Sequence, residues 1–140
     1  MSLETNKDIV RRMFEEDLNT DDRDAADQFF TTDFVDHTNP PHLKYGIESH
    51  KEIARIFHAA FLDVKWTVES AIAEGDRVAV QLVYRATHTG DFFGIPATDK
   101  AVEVRGTHIL RIADGKIAEH WGNDDDLGLM RQLGVVPEMT

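Results

Sequence analysis

The protein has 140 residues, of which 26 are acidic, 15 are basic and none is cysteine, giving a formal net charge of −11. This length suits one domain over residues 1–140, and the lack of cysteine excludes disulfides, iron–sulfur clusters, thiolate zinc sites and cysteine nucleophiles. The acidic surplus argues against a nucleic-acid or anionic-membrane partner, because both are bound through clustered Lys and Arg side chains.

The first half of the chain is predicted to be mainly helical. Apolar residues recur at three- and four-residue spacing over residues 9–18, which indicates an amphipathic helix. A second short helix is predicted at residues 25–30 and a longer one at residues 46–62. Between them, residues 34–37 are predicted to be extended, and residues 39–41 form a predicted loop because their two prolines donate no backbone hydrogen bond.

The second half of the chain has the period-two alternation of β-strands. The expected strands cover residues 64–68, 77–88, 101–112 and 117–121. An Asp114-Gly115 pair predicts a tight turn between the last two strands, and residues 124–133 are predicted to form a closing helix. Helices followed by antiparallel strands are typical of an α+β domain with its helices on one face of a sheet.

Alternation within the strands predicts which side chains face the helices. His108 shares a face with apolar neighbours on its strand, as do Tyr84 and His88 on theirs. On the last strand Trp121 is predicted to point inward, and Asp125 joins it if the extended run continues. These side chains would line one concave space between sheet and helices, provided that no bulge inverts the alternation.

Each of these residues also has a purely structural explanation. A lone histidine on an apolar face, such as His108, is more often a hydrogen-bonded core residue than a catalytic one. His88 stands at a strand end and could act as a cap, and the run Asp124-Asp125-Asp126 could begin a helix. His120 is predicted to face away from the pocket, either exposed or at an interface.

Several functional motifs are absent from the sequence. No histidine pair has the spacing of helical metal ligands, and no glycine-rich nucleotide fingerprint or serine-hydrolase elbow is present. We therefore predict neither a metal nor a cofactor. No apolar run approaches the ~18 residues that cross a bilayer, and the first six residues do not resemble a secretion signal. We expect a cytoplasmic protein with no membrane partner.

Three segments of the chain carry a family resemblance. They are Ile72–Ala79, Thr87–Pro96 and the stretch from Asp114 to Gly134, which includes Gly115-Lys116-Ile117-Ala118-Glu119-His120-Trp121. In this order they resemble the SnoaL-like polyketide cyclase (ester cyclase) family of the nuclear-transport-factor-2-like superfamily, over roughly residues 6–134.

The resemblance implies a cone-shaped, curved, mixed or antiparallel sheet with N-terminal helices closing a pocket, in a homodimer packed through the sheets. It also implies ring closure by intramolecular aldol condensation without a cofactor. The acid/base carboxylate of the family would fall on Asp125, and a shift of one residue would move it to Asp124 or Asp126.

The same resemblance suggests further pocket residues. His108 would be a second catalytic group, and His37 and His88 would contact substrate. Aromatic side chains would fold a flexible substrate into a reactive conformer. The predicted substrate-binding aromatic residues are Phe14, Phe30, Phe57, Phe61, Trp66, Tyr84 and Trp121.

We predict a small-molecule lyase or isomerase of the cyclase type, acting on a small hydrophobic molecule with Asp125 as general acid/base. An alternative is a non-catalytic small-molecule binding or dimerisation module on the same fold, which a pocket without an ionisable group, or an Asp125 side chain that points into solvent, would favour. A third reading, a hydrolase or epoxide-hydrolase relative, needs further pocket carboxylates and a positioned water, and Glu119 is the one obvious extra candidate.

Overall fold

Five strands form one curved, open sheet, and the helices pack against one of its faces. The computed structural model describes residues 2–20 and 22–137. The helices are α1 (Leu3–Arg12), α2 (Ile47–Ala60) and α3 (Asp126–Leu133), and the strands are β1 (Phe30–Asp36), β2 (Lys65–Glu74), β3 (Arg77–Thr87), β4 (Ala101–Ala113) and β5 (Lys116–Asp124). A π-helical turn, Met13–Asp17, extends α1, and two short 3-10 helices cover Arg23–Gln28 and Pro41–Leu43.

The sheet has the strand order β1-β5-β4-β3-β2. Strand β1 runs parallel to β5, and every other neighbouring pair is antiparallel. This arrangement confirms the predicted α+β class and the predicted mixed sheet. It also brings the end of β1, early in the chain, beside the end of β5, late in the chain, where the site described below is built.

The N-terminal helical segment begins earlier than its apolar pattern suggests. The Ser2 side chain accepts a hydrogen bond from the Thr5 backbone N–H at 3.0 Å and so caps α1. The helix then widens, because the Leu18 N–H donates to the Met13 carbonyl, five residues back, at 3.0 Å. This π-helical turn buries its Met13, Phe14 and Asp17 side chains against the sheet.

The predicted alternation on the two central strands is confirmed. Val78, Val80, Leu82 and Tyr84 of β3 are at most 1% exposed. On β4 the buried, helix-facing side chains are Val102, Val104, His108, Leu110 and Ile112. In the part of the chain that the structure describes, no helix combines the length and hydropathy needed to span a bilayer.

Strand β5 contains a β-bulge that the alternation pattern does not reveal. Arg111 of β4 pairs with Glu119, but the next residue, Ile112, pairs with Ile117. Between these two pairs β5 advances by two residues while β4 advances by one, so Ala118 is the extra, unpaired residue. Such an insertion inverts the inward and outward order of everything that follows it on the strand.

The bulge corrects the predicted facing of β5. His120 and Asp124 point toward the helices and line the internal cavity, whereas Trp121 lies on the opposite face of the sheet. The predictions that Trp121 and Asp125 point inward and that His120 points outward are therefore wrong. Ile117, which precedes the bulge, is fully buried as the pattern predicts.

Candidate functional site

A cavity of about 110 Å³ lies between the sheet and the helices. Its apolar wall consists of Met13, Phe14, Leu18, Phe30, Ile53, Ala54, Phe57 and Trp66. Its polar wall consists of Asp36, Thr38, Asn39, His50, His108, His120 and Asp124. The cavity thus combines an enclosed, largely aromatic lining with several groups that can carry protons, which is the usual composition of a small-molecule site.

Four of the polar residues form one hydrogen-bonded series across three strands, which we call the Asp–His–His–Asp chain. Asp36 Oδ2 lies 2.9 Å from His120 Nδ1. His120 Nε2 lies 2.6 Å from His108 Nδ1, and His108 Nε2 lies 2.7 Å from Asp124 Oδ1. Both ring nitrogens of both histidines are therefore engaged, which fixes the orientation of each imidazole.

Two glycines make room for this chain. In the β4–β5 register, His108 is paired with Gly122 and Asp124 is paired with Gly106. A Cβ atom at Gly122 would lie 2.5 Å from His108 Nδ1 and 2.9 Å from His120 Nε2. A Cβ atom at Gly106 would overlap the Asp124 carboxylate. Because glycine has no side chain, Gly122 leaves space for His108 and Gly106 leaves space for Asp124 on the surface of the sheet.

The number of protons in the chain follows from its hydrogen bonds. Three hydrogen bonds in series require three protons, one for each. Two carboxylates and two neutral imidazoles supply only two protons, because a carboxylate only accepts and a neutral imidazole carries one N–H. The third proton makes one imidazole an imidazolium or one carboxylate a carboxylic acid. The chain therefore holds one proton that can move along it.

Asp36 is the ionised end of this chain. Burial acts to raise the pKa of Asp36, but the hydrogen bond and charge of His120 outweigh it. The backbone N–H of Thr38, which donates to Asp36 Oδ1 at 2.9 Å, acts in the same direction. The net result is a pKa of Asp36 below the ordinary value, so this end of the chain is a carboxylate.

A second carboxylate–histidine pair lies on the helix side of the cavity. His50 of α2 lines the cavity, and its Nε2 lies 2.9 Å from Oδ2 of the fully buried Asp17. Neither residue stood out in the sequence. Asp36 also went unassigned there, whereas Asp124 was the alternative to Asp125 in the aspartate run and His120 was predicted to face away from the pocket.

Several residues predicted from the sequence do reach the cavity. His108, Phe14, Phe30, Phe57 and Trp66 all line it. The Phe14 ring meets the His108 ring edge-on, with centroids 5.5 Å apart. Their proposed roles toward a substrate remain predictions.

Two further aromatic residues support the lining from behind. Phe61 and Tyr84 are buried and pack against Phe57, with ring centroids 6.1 and 5.7 Å away respectively. Burial, together with the charges of Asp124 and Asp126, raises the pKa of the Tyr84 hydroxyl, which therefore stays protonated. Both residues shape the cavity without lining it.

His37 and Trp121 lie on the outer face of the sheet. Their rings stack with centroids 4.8 Å apart. The guanidinium of Arg77, on β3, lies 4.7 Å from the centre of the Trp121 ring. His37 Nε2 is 2.7 Å from Glu119 Oε2, and this hydrogen bond, with a second one from Arg111, lowers the pKa of Glu119. The predicted pocket positions of His37 and Trp121 are wrong, and Glu119 is not a pocket carboxylate.

His88 is a core residue rather than a lining residue. It is fully buried, and its Nδ1 accepts a hydrogen bond from the Thr98 backbone N–H at 3.2 Å. Its ring packs 5.4 Å from the Phe61 ring. These contacts fasten the segment after β3 to the end of that strand, so the structural explanation applies and the predicted pocket position is wrong.

Asp125 caps helix α3. Its Oδ1 accepts a hydrogen bond from the Gly128 backbone N–H at 2.9 Å, and the residue is exposed. The predicted inward position of Asp125 is therefore wrong, since the bulge at Ala118 assigns the inward direction to Asp124 instead. In residues 2–20 and 22–137, no group of three or more His, Asp or Glu side chains is arranged to hold a metal ion.

Comparison with known proteins gives a consistent result. Residues 8–133 match the family model described as SnoaL-like polyketide cyclase. Aklanonic acid methyl ester cyclase DnrD from Streptomyces peucetius is 31% identical over 138 residues, which cover 94% of this chain and 92% of that protein. Nogalonic acid methyl ester cyclase from Streptomyces nogalater is 34% identical over 122 residues, covering 84% of this chain and 89% of the relative.

The fold has solved counterparts as well. A protein from Jannaschia sp. CCS1, described as a SnoaL-like polyketide cyclase, superposes with a TM-score of 0.84 at 28% identity. The superposition covers 96% of this chain and 94% of that one. The sheet and its helices are therefore shared along nearly the whole length of both proteins.

Proposed function

The chain belongs to the SnoaL-like polyketide cyclase family, and we propose that it closes a ring in a polyketide methyl ester by intramolecular aldol addition without a cofactor. The substrate class is taken from two relatives whose names specify aklanonic and nogalonic acid methyl esters. The observation that carries the proposal is the 2.7 Å contact between Asp124 and His108 on the wall of a cavity whose apolar side includes four aromatic residues.

The first step is the removal of a proton from a carbon next to a carbonyl group. In the proposed mechanism the Asp124 carboxylate takes this proton, and the C–H electron pair becomes an enolate. A general base must reach its proton through a direct contact or one water molecule. Asp124 meets this requirement because it lines the cavity, whereas Asp125 is turned toward the start of α3.

The second step forms the ring. The enolate carbon attacks a second carbonyl carbon of the same molecule, and the electron pair of that C=O bond moves to oxygen. The resulting alkoxide takes up one proton, so the product has the same atoms as the substrate. The aromatic wall favours the folded conformer.

The same observation favours catalysis over a non-catalytic binding module. Burying several carboxylates and imidazoles costs free energy that a passive apolar pocket avoids. Sites that retain such groups are candidates for proton transfer. The hydrolase reading loses its sequence candidate, because Glu119 is held by Arg111 and His37 outside the cavity. The second carboxylate of the cavity, Asp36, is engaged by His120 and Thr38.

We also propose that the protein forms a homodimer through the outer face of its sheet. Ile72 and Ile109 are exposed there, at 71% and 39%, beside an ion pair between Arg105 and Glu69. Light scattering should give twice the mass of one chain, and Ile109→Glu should shift the population toward monomer. A wild-type monomer at every concentration tested would refute the dimer.

Turnover of a defined substrate tests the proposed reaction. The purified protein is incubated with aklanonic acid methyl ester or nogalonic acid methyl ester, and the products are separated and analysed by mass spectrometry and NMR. We expect a product of unchanged mass with one additional ring from at least one substrate. Binding of either ester without any product would instead support the binding module.

A further inference from the structure

The helix side of the cavity carries a proton-transfer pair that the reaction described so far does not use. Asp17 ends the π-helical turn, and its Oδ2 lies 2.9 Å from His50 Nε2. Asp17 is fully buried and His50 is 7% exposed. The two residues are 33 positions apart and come from different helical segments. His50 lines the cavity from α2, whereas Asp17 is hydrogen-bonded to it and is not itself part of the lining.

The hydrogen bond fixes which nitrogen of His50 is available. A carboxylate can only accept, so His50 Nε2 must carry the proton that is shared with Asp17. Among the described residues no side chain or backbone group is hydrogen-bonded to His50 Nδ1. Because the His50 ring lines the cavity, Nδ1 is the nitrogen that is left to act on a bound molecule.

The surroundings hold the His50 ring in place. The Phe30 ring lies 4.0 Å from the His50 ring, and the Phe34 ring meets it edge-on at 6.2 Å. The second oxygen of Asp17, Oδ1, is buried and has no hydrogen-bond partner in the described part of the chain. With one oxygen unpaired, the Asp17 carboxylate depends on its single contact with His50. Asp36 of β1, which lines the same cavity, is a second carboxylate that interacts electrostatically with His50.

We propose that His50 is a second catalytic residue, the general acid that protonates the new alkoxide through Nδ1, and that Asp17 is the residue that positions it. This assignment rests on the aldol reaction proposed above. It separates the two proton transfers of that reaction between opposite walls. Asp124 removes the proton from carbon on the sheet side, and His50 gives a proton to oxygen on the helix side.

The proton balance closes within the cavity. The C–H bond breaks and its proton goes to Asp124, the new C–C bond forms from the enolate electron pair, and the alkoxide takes the Nδ1 proton of the His50 imidazolium. Asp124 then holds one proton too many and His50 one too few. Transfer of that proton through water or the mobile proton of the Asp–His–His–Asp chain restores both groups. No oxidant, reductant or second substrate is consumed.

Measuring two steps in the same sample tests the assignment. His50→Gln keeps an amide that can donate to Asp17 but removes Nδ1. With a methyl ester substrate in D2O, we expect this variant to close the ring about 100-fold more slowly, as loss of a general acid predicts. Exchange of the α-proton for deuterium, which depends on Asp124, should continue, and KM should change little. His42→Asn, which removes an exposed histidine, is the matched control.

Asp17→Asn provides an independent test of the positioning role. It removes the charge beneath His50 but leaves Nδ1 in the cavity. We expect kcat for ring closure to fall about tenfold, at the lower end of general-acid contributions, with KM and deuterium exchange retained. A merely structural role would instead change exchange and ring closure together through loss of folded protein. Near-UV circular dichroism reports the folded fraction of each variant, and His50→Phe, which also lacks Nδ1, replaces His50→Gln if the latter does not fold.

The outcomes distinguish this inference from the proposed function. If His50→Gln closes the ring at the wild-type rate, His50 is not the acid. If Asp124→Asn abolishes exchange while His50→Gln abolishes only ring closure, both assignments stand. If the wild type neither exchanges nor cyclises the esters, the aldol proposal fails. Binding of 4-nitrophenolate, an oxyanion with a visible absorption band, then decides the role of His50. Equal affinity for wild type and His50→Gln would overturn it, and a tenfold or greater loss would support it.

Discussion

His108 and His120 lie side by side on neighbouring strands, with ring planes 10° from parallel and Nδ1 of His108 2.6 Å from Nε2 of His120. This contact joins the buried Asp36 to Asp124 in the cavity through an unbroken series of hydrogen bonds. A substitution at Asp36 or His120 should therefore alter the hydrogen bonding of Asp124. Each of the following predictions tests a different part of that arrangement.

Interrupting the chain away from the cavity should slow catalysis without weakening substrate binding. His120→Phe removes both hydrogen bonds of the second imidazole and leaves His108 beside Asp124. We expect kcat for ring closure to fall about tenfold. This is less than the 10²- to 10⁴-fold contribution of a general acid or base, because Asp124 itself is retained. Steady-state kinetics measure this effect. A rise in KM at constant kcat would show that His120 binds substrate instead.

Asp36 should stabilise the fold at neutral pH and lose this effect in acid. Although burial opposes its ionisation, the contacts with His120 and Thr38 hold the pKa of Asp36 below the ordinary 3.8. The native state therefore binds fewer protons than the unfolded state at mildly acidic pH, so this stabilisation is present above about pH 4 and declines below it. Urea unfolding should find Asp36→Asn less stable than wild type at pH 7. The difference should narrow as the pH falls through the native pKa, and a constant difference would contradict this origin.

Gly122 should be essential for the contact between the two histidines. A Cβ atom there would approach His108 Nδ1 and Cε1 at 2.5 and 2.7 Å, so Gly122→Ala must displace the ring. We expect a loss of about 1–3 kcal/mol in the free energy of unfolding, the usual cost of overpacking, and at least a tenfold loss of kcat. Asn123→Ala, at an exposed neighbouring position, is the control. Normal kcat for folded Gly122→Ala would show that the contact is dispensable.

The two tryptophans should respond differently to substitution. Trp66 lines the cavity, and Trp66→Phe should raise KM because it removes contact area from the substrate site. Trp121 lies between His37 and Arg77 on the outer face, so Trp121→Phe should leave KM and kcat near wild type. Kinetics of both variants on one substrate make the comparison. A larger KM effect at Trp121 would contradict the orientation of β5.

The fold class could be predicted from the sequence because its signals are local. Helical spacing located α2 at residues 46–62 against the observed Ile47–Ala60, and alternation oriented β3 and β4 correctly. The first helix was less predictable, since its apolar stripe continues through a π-helical turn that widens the backbone without changing the residue types.

The site could be predicted to within one residue but not exactly assigned. The aspartate run and His108 of β4 indicated the correct region. Because of the bulge at Ala118, however, Asp124 and His120 point into the cavity in place of the predicted Asp125 and Trp121. A bulge is defined by pairing with another strand, so a strand's own alternation cannot reveal it. The sequence nevertheless contained a signal. Gly106 and Gly122 lie inside strands, where glycine often indicates that another group approaches the backbone closely.

The pair on the helix side had no sequence signal. Asp17 and His50 are separated by 33 residues, and neither belongs to a spaced motif. They meet because the folded chain brings the end of the π-helical turn beside α2. Such pairs depend on tertiary packing and become visible only when the fold is known.

The central claim is that Asp124, and not its neighbour, is the acid/base carboxylate. The most direct test is kcat for ring closure by Asp124→Asn and Asp125→Asn on the same methyl ester. We predict that Asp124→Asn lowers kcat by about 10²–10⁴-fold, the range for loss of a general acid or base. Asp125→Asn should remain near wild type because asparagine is also a good N-cap. Loss of kcat in Asp125→Asn with normal turnover by Asp124→Asn would contradict the account.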